Sequence, residues 1–243
     1  MSLDETMRAL EKAGSAQTRK TYARHGAQEP MFGVSFATMK TLVKRIGVDH
    51  ELALALWSTG NHDARTLAMK VADPALIRPS DLNRWARENH VRMCGGYVAM
   101  LAAESPHAAA KAGEWLASSD AALRAAAWTL AGHMANADEK TPDAWFAQLV
   151  ARIEKSIHAA PDGERYAMNM AVIMIGGRSA ALRKAAIAAA KRIGKVEVDH
   201  GDTACKTPEA GPYIDKLWAR AAAKNFSSPA AQERAREPMR TRC

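Results

Sequence analysis

Residue types that can hold a metal ion or move a proton are concentrated in one segment, GKVEVDHGDTACKTPEAGP at 194–212. Asp199, His200 and Cys205 lie within seven positions of one another, and zinc uses these side-chain types as ligands. Zinc ligands normally show paired or recurrent spacing, which is missing here. Two other interpretations stay open. His200 and Asp199 could satisfy backbone groups of an ordered loop, or Asp199 could supply a catalytic carboxylate.

Three arginines, Arg65, Arg124 and Arg183, recur at intervals of 59 residues, each three residues before an alanine. The surrounding small residues let neighbouring helices approach closely, as stacked helical repeats require. Each arginine could neutralise a phosphate of a nucleic acid, or it could pair with an acid of the neighbouring repeat. Arg178 and Lys184 add positive charge beside Arg183 at a predicted helix N-terminus. The helix dipole disfavours cations there unless an anion binds.

Composition limits the class of protein. The formal net charge is +8 and the pI about 9.5, which favours polyanionic partners, nucleic acid before a membrane surface. An apolar content of 48% excludes a disordered chain. Cys94, Cys205 and Cys243 have no CxxC spacing, which argues against a disulfide framework and predicts a cytoplasmic location. No stretch approaches the roughly 20 apolar residues that span a bilayer, and no glycine-rich phosphate loop is present. We expect a monomer without a cofactor.

Helical periodicity predicts the fold class. Caps and apolar spacing indicate about a dozen helices with short polar links, of which DAALRAAAWTLAG at 120–132 is typical. We therefore predict an all-α protein, a curved α–α superhelix of helical repeats, with a simple bundle as the alternative. Val196 and Val198 alternate with charged residues, so the 194–212 segment is predicted to be a short β-like loop or hairpin.

Domain organisation follows from the same pattern. We predict one helical-repeat domain over residues 1–224. Residues 225–243 have little apolar content and carry Arg234, Arg236 and Arg240, which predicts a basic, flexible tail.

A resemblance to a known family lies in residues 32–74, which read FGVSFATMKTLVKRIGVDHELALALWSTGNHDARTLAMKVADP. The motifs that carry it are Phe32-Gly33-Val34, the Lys44 helix, Leu56-Trp57 and the acidic-Ala-Arg-x-x-Ala element at 63–68. This stretch resembles the AlkD-like DNA alkylation repair proteins, the HEAT-like repeat alkylpurine DNA glycosylases and their paralogues. The segment IGKVEVDHGDTACKTPEAGPYIDK at 193–216 is similar to the signature of one branch of those proteins. The resemblance covers most of residues 16–220.

The resemblance implies a concave, positively charged helical-repeat surface that cradles duplex DNA. Active members remove N3- or N7-alkylated purines, which leave readily because the alkylated base is already cationic. The enzyme supplies a carboxylate that stabilises the developing oxocarbenium sugar, and aromatic contacts beside the lesion. In the family a Trp-x-x-x-Asp element provides the tryptophan and the carboxylate, and a later arginine contacts the DNA backbone.

This sequence departs from the family at the catalytic element. If the register holds, Val91 replaces the tryptophan and Gly95 replaces the aspartate. The remaining candidate carboxylates are Glu88 and Asp199, while Arg124 lies near the family's arginine position.

Three functions therefore stay open. The first is excision of N3- or N7-alkylated purines by hydrolysis of the N-glycosidic bond, and the second is non-catalytic binding of damaged or branched DNA. The third is a protein-interaction solenoid that has lost DNA binding. The candidate DNA contacts are Arg65, Arg92, Arg124, Arg178, Arg183, Lys184, Lys195, His200 and Lys206.

Overall fold

The computed structural model describes residues 1–88 and 96–242. Within these ranges the chain forms α-helices and no sheet, which confirms the all-α prediction. Numbered in chain order, the helices are α1 (Leu3–Ala13), α2 (Ala16–Arg24), α3 (Phe36–Ile46), α4 (His50–Ser58), α5 (His62–Val71), α6 (Pro79–Glu88), α7 (Gly96–Glu104), α8 (Ala108–Leu116), α9 (Ala121–Ala137), α10 (Asp143–Ser156), α11 (Asp162–Gly176), α12 (Ala180–Ile193), α13 (Ala210–Ala222) and α14 (Pro229–Arg234). A 3₁₀ turn, Ile157–Ala159, follows α10.

Short polar side chains fix where the helices begin. Ser35, Asp49 and Asn61 each accept a hydrogen bond from a backbone N–H of the first turn, as their positions in the sequence predict. Asp120 does the same at the start of α9. Each such bond satisfies an N–H that has no partner inside the helix.

The chain divides into two compact units. Unit 1 contains residues 1–106, 201–203 and the segment from Glu237 onward, and unit 2 contains residues 107–200 and 204–236. In unit 1, α5 packs against α3, α4 and α7. In unit 2, α11 packs against α9, α12 and α13, and α10 packs against α12. The assignment of residues 1–224 to a single domain stays a prediction.

A glycine allows the close contact between α9 and α11. α9 runs through Gly132 without a break, and a Cβ at this position would lie 2.9 Å from the Sδ of Met174 on α11. A side chain at this position would require the Met174 side chain to move. Gly132 therefore serves interhelical packing and does not mark a helix end.

A buried carboxylate joins the loop before α3 to the start of α5. Asp63 is fully buried and accepts three backbone N–H bonds, from Phe32 at 2.7 Å, Gly33 at 3.0 Å and Val34 at 2.8 Å. Gly33 has a φ of +79°, a conformation that favours glycine. The two most recognisable motifs of the sequence thus form one structural unit.

The segment before α13 is an ordered loop. Between Gly194 and Glu209 the chain forms neither helix nor strand, so the loop alternative holds and the hairpin is wrong. The alternation of Val196 and Val198 with charged residues was too short to specify a strand, and no neighbouring strand is present among the described residues to pair with it.

The tail contains structure that its composition did not predict. α14 begins at Ser228, whose hydroxyl accepts a hydrogen bond from Ala231 N, with Pro229 at the first helical position. Further on, Arg240 is buried, 2% exposed, and forms an ion pair with Glu104 at 2.9 Å. The ammonium of Lys70 donates to the carbonyl oxygen of Arg240 at 2.8 Å. The flexibility of the tail as a whole stays a prediction.

Asp63→Asn should destabilise unit 1 strongly. The substitution replaces one acceptor oxygen with an amino group that faces backbone N–H donors, so we expect a loss of about 2–4 kcal/mol in the free energy of unfolding. Urea unfolding followed by circular dichroism measures it. Asp49→Asn is the matched control, because asparagine caps a helix as well as aspartate does. Equal stability of the two variants would contradict the structural role of Asp63.

Candidate nucleic-acid interface

The first repeated arginine is part of a cluster in unit 1. Arg65 donates to the Oε2 atom of Glu88 at 2.8 Å, and the indole N–H of Trp57 donates to the same oxygen at 2.7 Å. The guanidinium lies 5.0 Å from the Trp57 ring centre, and that ring stacks on Trp85 at 4.3 Å. The carboxylate therefore joins α6 to α4 and α5.

The second arginine forms the corresponding cluster in unit 2. Arg124 on α9 donates through Nε to both carboxylate oxygens of Glu164 on α11, at 3.1 and 3.0 Å. The indole N–H of Trp128, one helical turn further along α9, donates to Glu164 at 3.2 Å. The hydrogen bond to Glu164 raises the pKa of Arg124 above its usual value. The Glu164 side chain is 6% exposed, so these partners replace the water that burial removes from it.

The third arginine repeats the arrangement at a more exposed place. Arg183 donates to Asp215 at 2.7 Å and lies 5.1 Å from the Trp218 ring centre. The side chains of Arg183 and Asp215 are 39% and 55% exposed. All three arginines thus pair with an acid from a later helix, the non-DNA alternative that the sequence left open. Phosphate contact by Arg65, Arg124 or Arg183 stays a prediction.

Arg178 is held by the turn between α9 and α10. Its Nε donates to Asp143 at 2.8 Å, and its amino groups donate to the carbonyl oxygens of Ala135, Asp138 and Thr141. The Ser179 hydroxyl, and after it Arg178, lowers the pKa of Asp143 below its usual value. Because the Arg178 side chain is 9% exposed, it has little surface for a phosphate.

The loop before α13 uses several polar groups internally. Lys195 pairs with Glu197 at 2.7 Å, and this hydrogen bond raises the pKa of Lys195 and lowers that of Glu197. The Nε2 atom of His200 lies 2.9 Å from the Thr207 hydroxyl. The His200 ring also packs edge-on against Tyr166, whose pKa is raised by burial. The loop is therefore ordered through its own side chains and α11.

The candidate metal ligands are not gathered into one site. In residues 1–88 and 96–242, no three His, Cys, Asp or Glu side chains are placed to hold a common ion. Asp199 and Cys205 are exposed, while His200 turns toward Thr207 and Tyr166. The loop alternative for these residues fits their geometry.

The two candidate carboxylates differ in their surroundings. Glu88 is 37% exposed, and one of its oxygens already accepts hydrogen bonds from Trp57 and Arg65. Asp199 lies exposed in the loop before α13. Two predicted site residues lie outside the described residues: Arg92, a predicted DNA contact, and Gly95, the predicted position of the family carboxylate.

Exposed cations without an ion pair form a different set. Lys184 and Lys206, two of the predicted contacts, are exposed and make no ion pair in the described part of the chain. Three further cations, which were not predicted from the sequence, are exposed in the same way on α13 and directly after it: Lys216, Arg220 and Lys224. The four-residue spacing of Lys216 and Arg220 places them on one side of α13, roughly 6 Å apart along its axis, and Lys224 follows in the turn after the helix.

No helix within the described residues is both long enough and apolar enough to cross a membrane.

Comparison with known proteins gives consistent matches over nearly the whole chain. A family model described as DNA alkylation repair enzyme matches residues 6–214. The uncharacterized proteins Lin0241 of Listeria innocua and Lmo0209 of Listeria monocytogenes are each 28% identical over 222 residues, covering 88% of this chain and 95% of theirs.

A solved structure is similar at the level of the fold. It is described as representing a new family of proteins related to the HEAT-like repeat DNA glycosylases with affinity for branched DNA structures. The TM-score is 0.82 and the identity 31%, over 91% of this chain and 95% of that one. This match confirms the HEAT-like helical-repeat fold.

Arg124→Gln should destabilise the protein far more than Arg183→Gln. Loss of Arg124 leaves the buried Glu164 charge without its cation, which costs about 2–4 kcal/mol of unfolding free energy. The Arg183–Asp215 pair is solvent-exposed, and its loss costs less than about 1 kcal/mol. Urea unfolding of both variants measures the difference. Similar losses of unfolding free energy in the two variants would mean that the burial of Glu164 does not determine how strongly the Arg124–Glu164 ion pair stabilises the protein.

Proposed function

This chain belongs to the DNA alkylation repair enzyme family, and we propose that it binds branched or damaged DNA without cleaving the glycosidic bond. The observation that carries the proposal is the similarity, over 91% of the chain, to a structure described as having affinity for branched DNA. The net charge of +8 supports a polyanionic partner.

The contacts divide the cations into two groups. The repeated arginines and Arg178 are already occupied by acids or carbonyl oxygens, so a phosphate would compete with existing bonds. Lys216, Arg220 and Lys224 have no ion pair within the described ranges. The first two share one side of α13, and Lys224 lies in the turn that follows it. Such a row can follow a phosphate backbone without loss of a structural contact. We assign the principal DNA contact to this row, with Lys184 and Lys206 as further contacts.

The catalytic element argues against glycosylase chemistry. Hydrolysis needs a carboxylate free to face the reacting sugar, and the sequence has Val91 and Gly95 where the family has tryptophan and aspartate. Glu88 already binds an indole and a guanidinium through one oxygen. Hydrolysis of alkylpurines by Glu88 or Asp199 is therefore the second choice.

Neutralising the α13 row should weaken DNA binding and its dependence on salt. For a variant with Lys216, Arg220 and Lys224 all changed to Gln, we expect the log–log slope of affinity against salt to fall by about three. Titration of labelled three-way-junction DNA across a salt series measures the slope.

The charge-matched control changes Lys40, Lys44 and Arg45 on α3 to Gln. These residues are exposed and carry the same total charge. Equal effects of the two triple variants would mean that net charge, not the α13 row, determines binding. A wild-type protein without salt-dependent DNA binding would leave a protein-interaction role instead.

Base release from a duplex with one 7-methylguanine should not exceed the spontaneous rate. The reason is the missing family carboxylate, and chromatography of the released base measures the rate. Release above background would contradict the non-catalytic proposal, and Glu88→Gln and Asp199→Asn would then identify the acid responsible.

A further inference from the structure

Unit 2 contains an open cavity of about 660 Å³ that the proposed DNA contacts do not use. It is lined by the last turns of α10, the 3₁₀ turn with the residues after it, and side chains from the first turns of α9 and α11. Its volume falls within the range of about 300–1,000 Å³ that is usual for small-molecule sites.

One wall of the cavity is positively charged. Gln148, Arg152 and Lys155 project from the same side of α10, at spacings of four and three residues. Gln148 and Lys155 are exposed, and neither makes a hydrogen bond or ion pair in the described residues. Two cations and an amide are therefore available to a ligand.

Arg152 is held in place with donors to spare. One of its amino groups donates to the carbonyl oxygen of Leu116 at 2.8 Å, and its guanidinium carbon lies 5.3 Å from the Trp128 ring centre. Its other N–H groups make no hydrogen bond within the described ranges. A guanidinium fixed in this way loses little conformational entropy when it binds an anion.

The opposite wall does not cancel this charge. Glu164 lines the cavity, but its carboxylate is paired with Arg124, which lines the cavity beside it. The pair contributes no net charge, so Arg152 and Lys155 leave the cavity with a formal surplus of two positive charges. The two monoanionic phosphodiesters that flank a nucleotide in a DNA strand match this surplus, as does the dianionic phosphate of a free nucleoside monophosphate.

Apart from Ser156, the remaining lining is apolar. Pro161 and Ala159 are exposed there and form a surface that a phosphate alone would not cover. A ligand that fills the cavity therefore needs a weakly polar group beside its phosphate. A nucleotide has both parts, and the Gln148 amide can donate to and accept from a base edge.

We propose that this cavity binds a single unpaired nucleotide, with the phosphate at Arg152 and Lys155 and the base against Pro161 and Ala159. This inference rests on the proposed DNA binding and names the feature of branched DNA that the chain recognises. A paired nucleotide keeps its base inside the duplex stack and leaves the apolar part of the cavity empty. The same side chains also fit a free nucleoside monophosphate. The experiment therefore distinguishes a nucleotide within DNA from a free nucleotide.

The test compares a forked DNA that carries unpaired nucleotides with a blunt duplex of the same length. For Lys155→Gln and for Ala159→Glu, which adds a negative charge at an exposed lining position, we expect the affinity for the fork to fall roughly tenfold. The affinity for the duplex should fall no more than about twofold. Lys191→Gln on α12, an exposed lysine outside the cavity, is the control and should change neither affinity.

Equal losses on fork and duplex, or an unchanged affinity for the fork, would overturn the cavity proposal while the proposed DNA binding stands. Thymidine 5′-monophosphate and thymidine are then titrated into the wild-type protein while the methyl signal of Met168 is followed by NMR. A shift with the monophosphate that Lys155→Gln abolishes supports the site and admits free nucleotides. If the wild-type protein binds neither the fork nor the duplex, the proposed DNA-binding function fails. The nucleotide titration then tests the cavity by itself, and an unchanged Met168 signal would overturn the cavity proposal.

Discussion

A carboxylate that reaches back to an arginine and a tryptophan is the interaction on which the helical packing depends. Glu88 does this in unit 1 and Glu164 in unit 2, and Asp215 reaches Arg183 beside Trp218 with more solvent around it. In the first two clusters the acid binds an indole N–H and a guanidinium together, so Glu88 joins α6 to α4 and α5, and Glu164 joins α11 to α9. Small residues, Gly132 among them, bring the helices close, and these polar ties determine how they align.

These carboxylate–arginine contacts change how the net positive charge of the protein should be interpreted. The arginines that recur most regularly in the sequence are those the fold uses for itself, because a repeated position in a repeated structure meets a repeated partner. Function is more easily assigned to cations that the repeats leave unpaired. Among them are the cations on and directly after α13 and along one wall of the α10 cavity, which lie outside the repeated arginine pattern.

The sequence predicts what depends on near neighbours. The helix starts at Ser35, Asp49 and Asn61 could be predicted because a cap bond joins residues two or three positions apart. The ion pairs of Arg65, Arg124 and Arg183 span 23, 40 and 32 positions, and several acids lie within such distances of each arginine. The partner of each arginine could therefore not be predicted from the sequence. The cavity could not be predicted either, because its walls come from separate helices. The family resemblance predicted the fold where periodicity left a simple bundle possible. The replacement of the family tryptophan and aspartate by Val91 and Gly95 stays a prediction.

The contact between Lys70 and Arg240 has a consequence for biosynthesis. The ammonium of Lys70 is buried in unit 1, lies 3.9 Å from the Tyr97 ring centre and donates to carbonyl oxygens of Arg240 and Arg242. These acceptors are translated about 170 residues after the lysine. The ribosome therefore exposes most of unit 1 well before these two acceptors exist, and unit 2 emerges in between. Unit 1 cannot complete its packing until they are made, although α1 to α7 are made before unit 2.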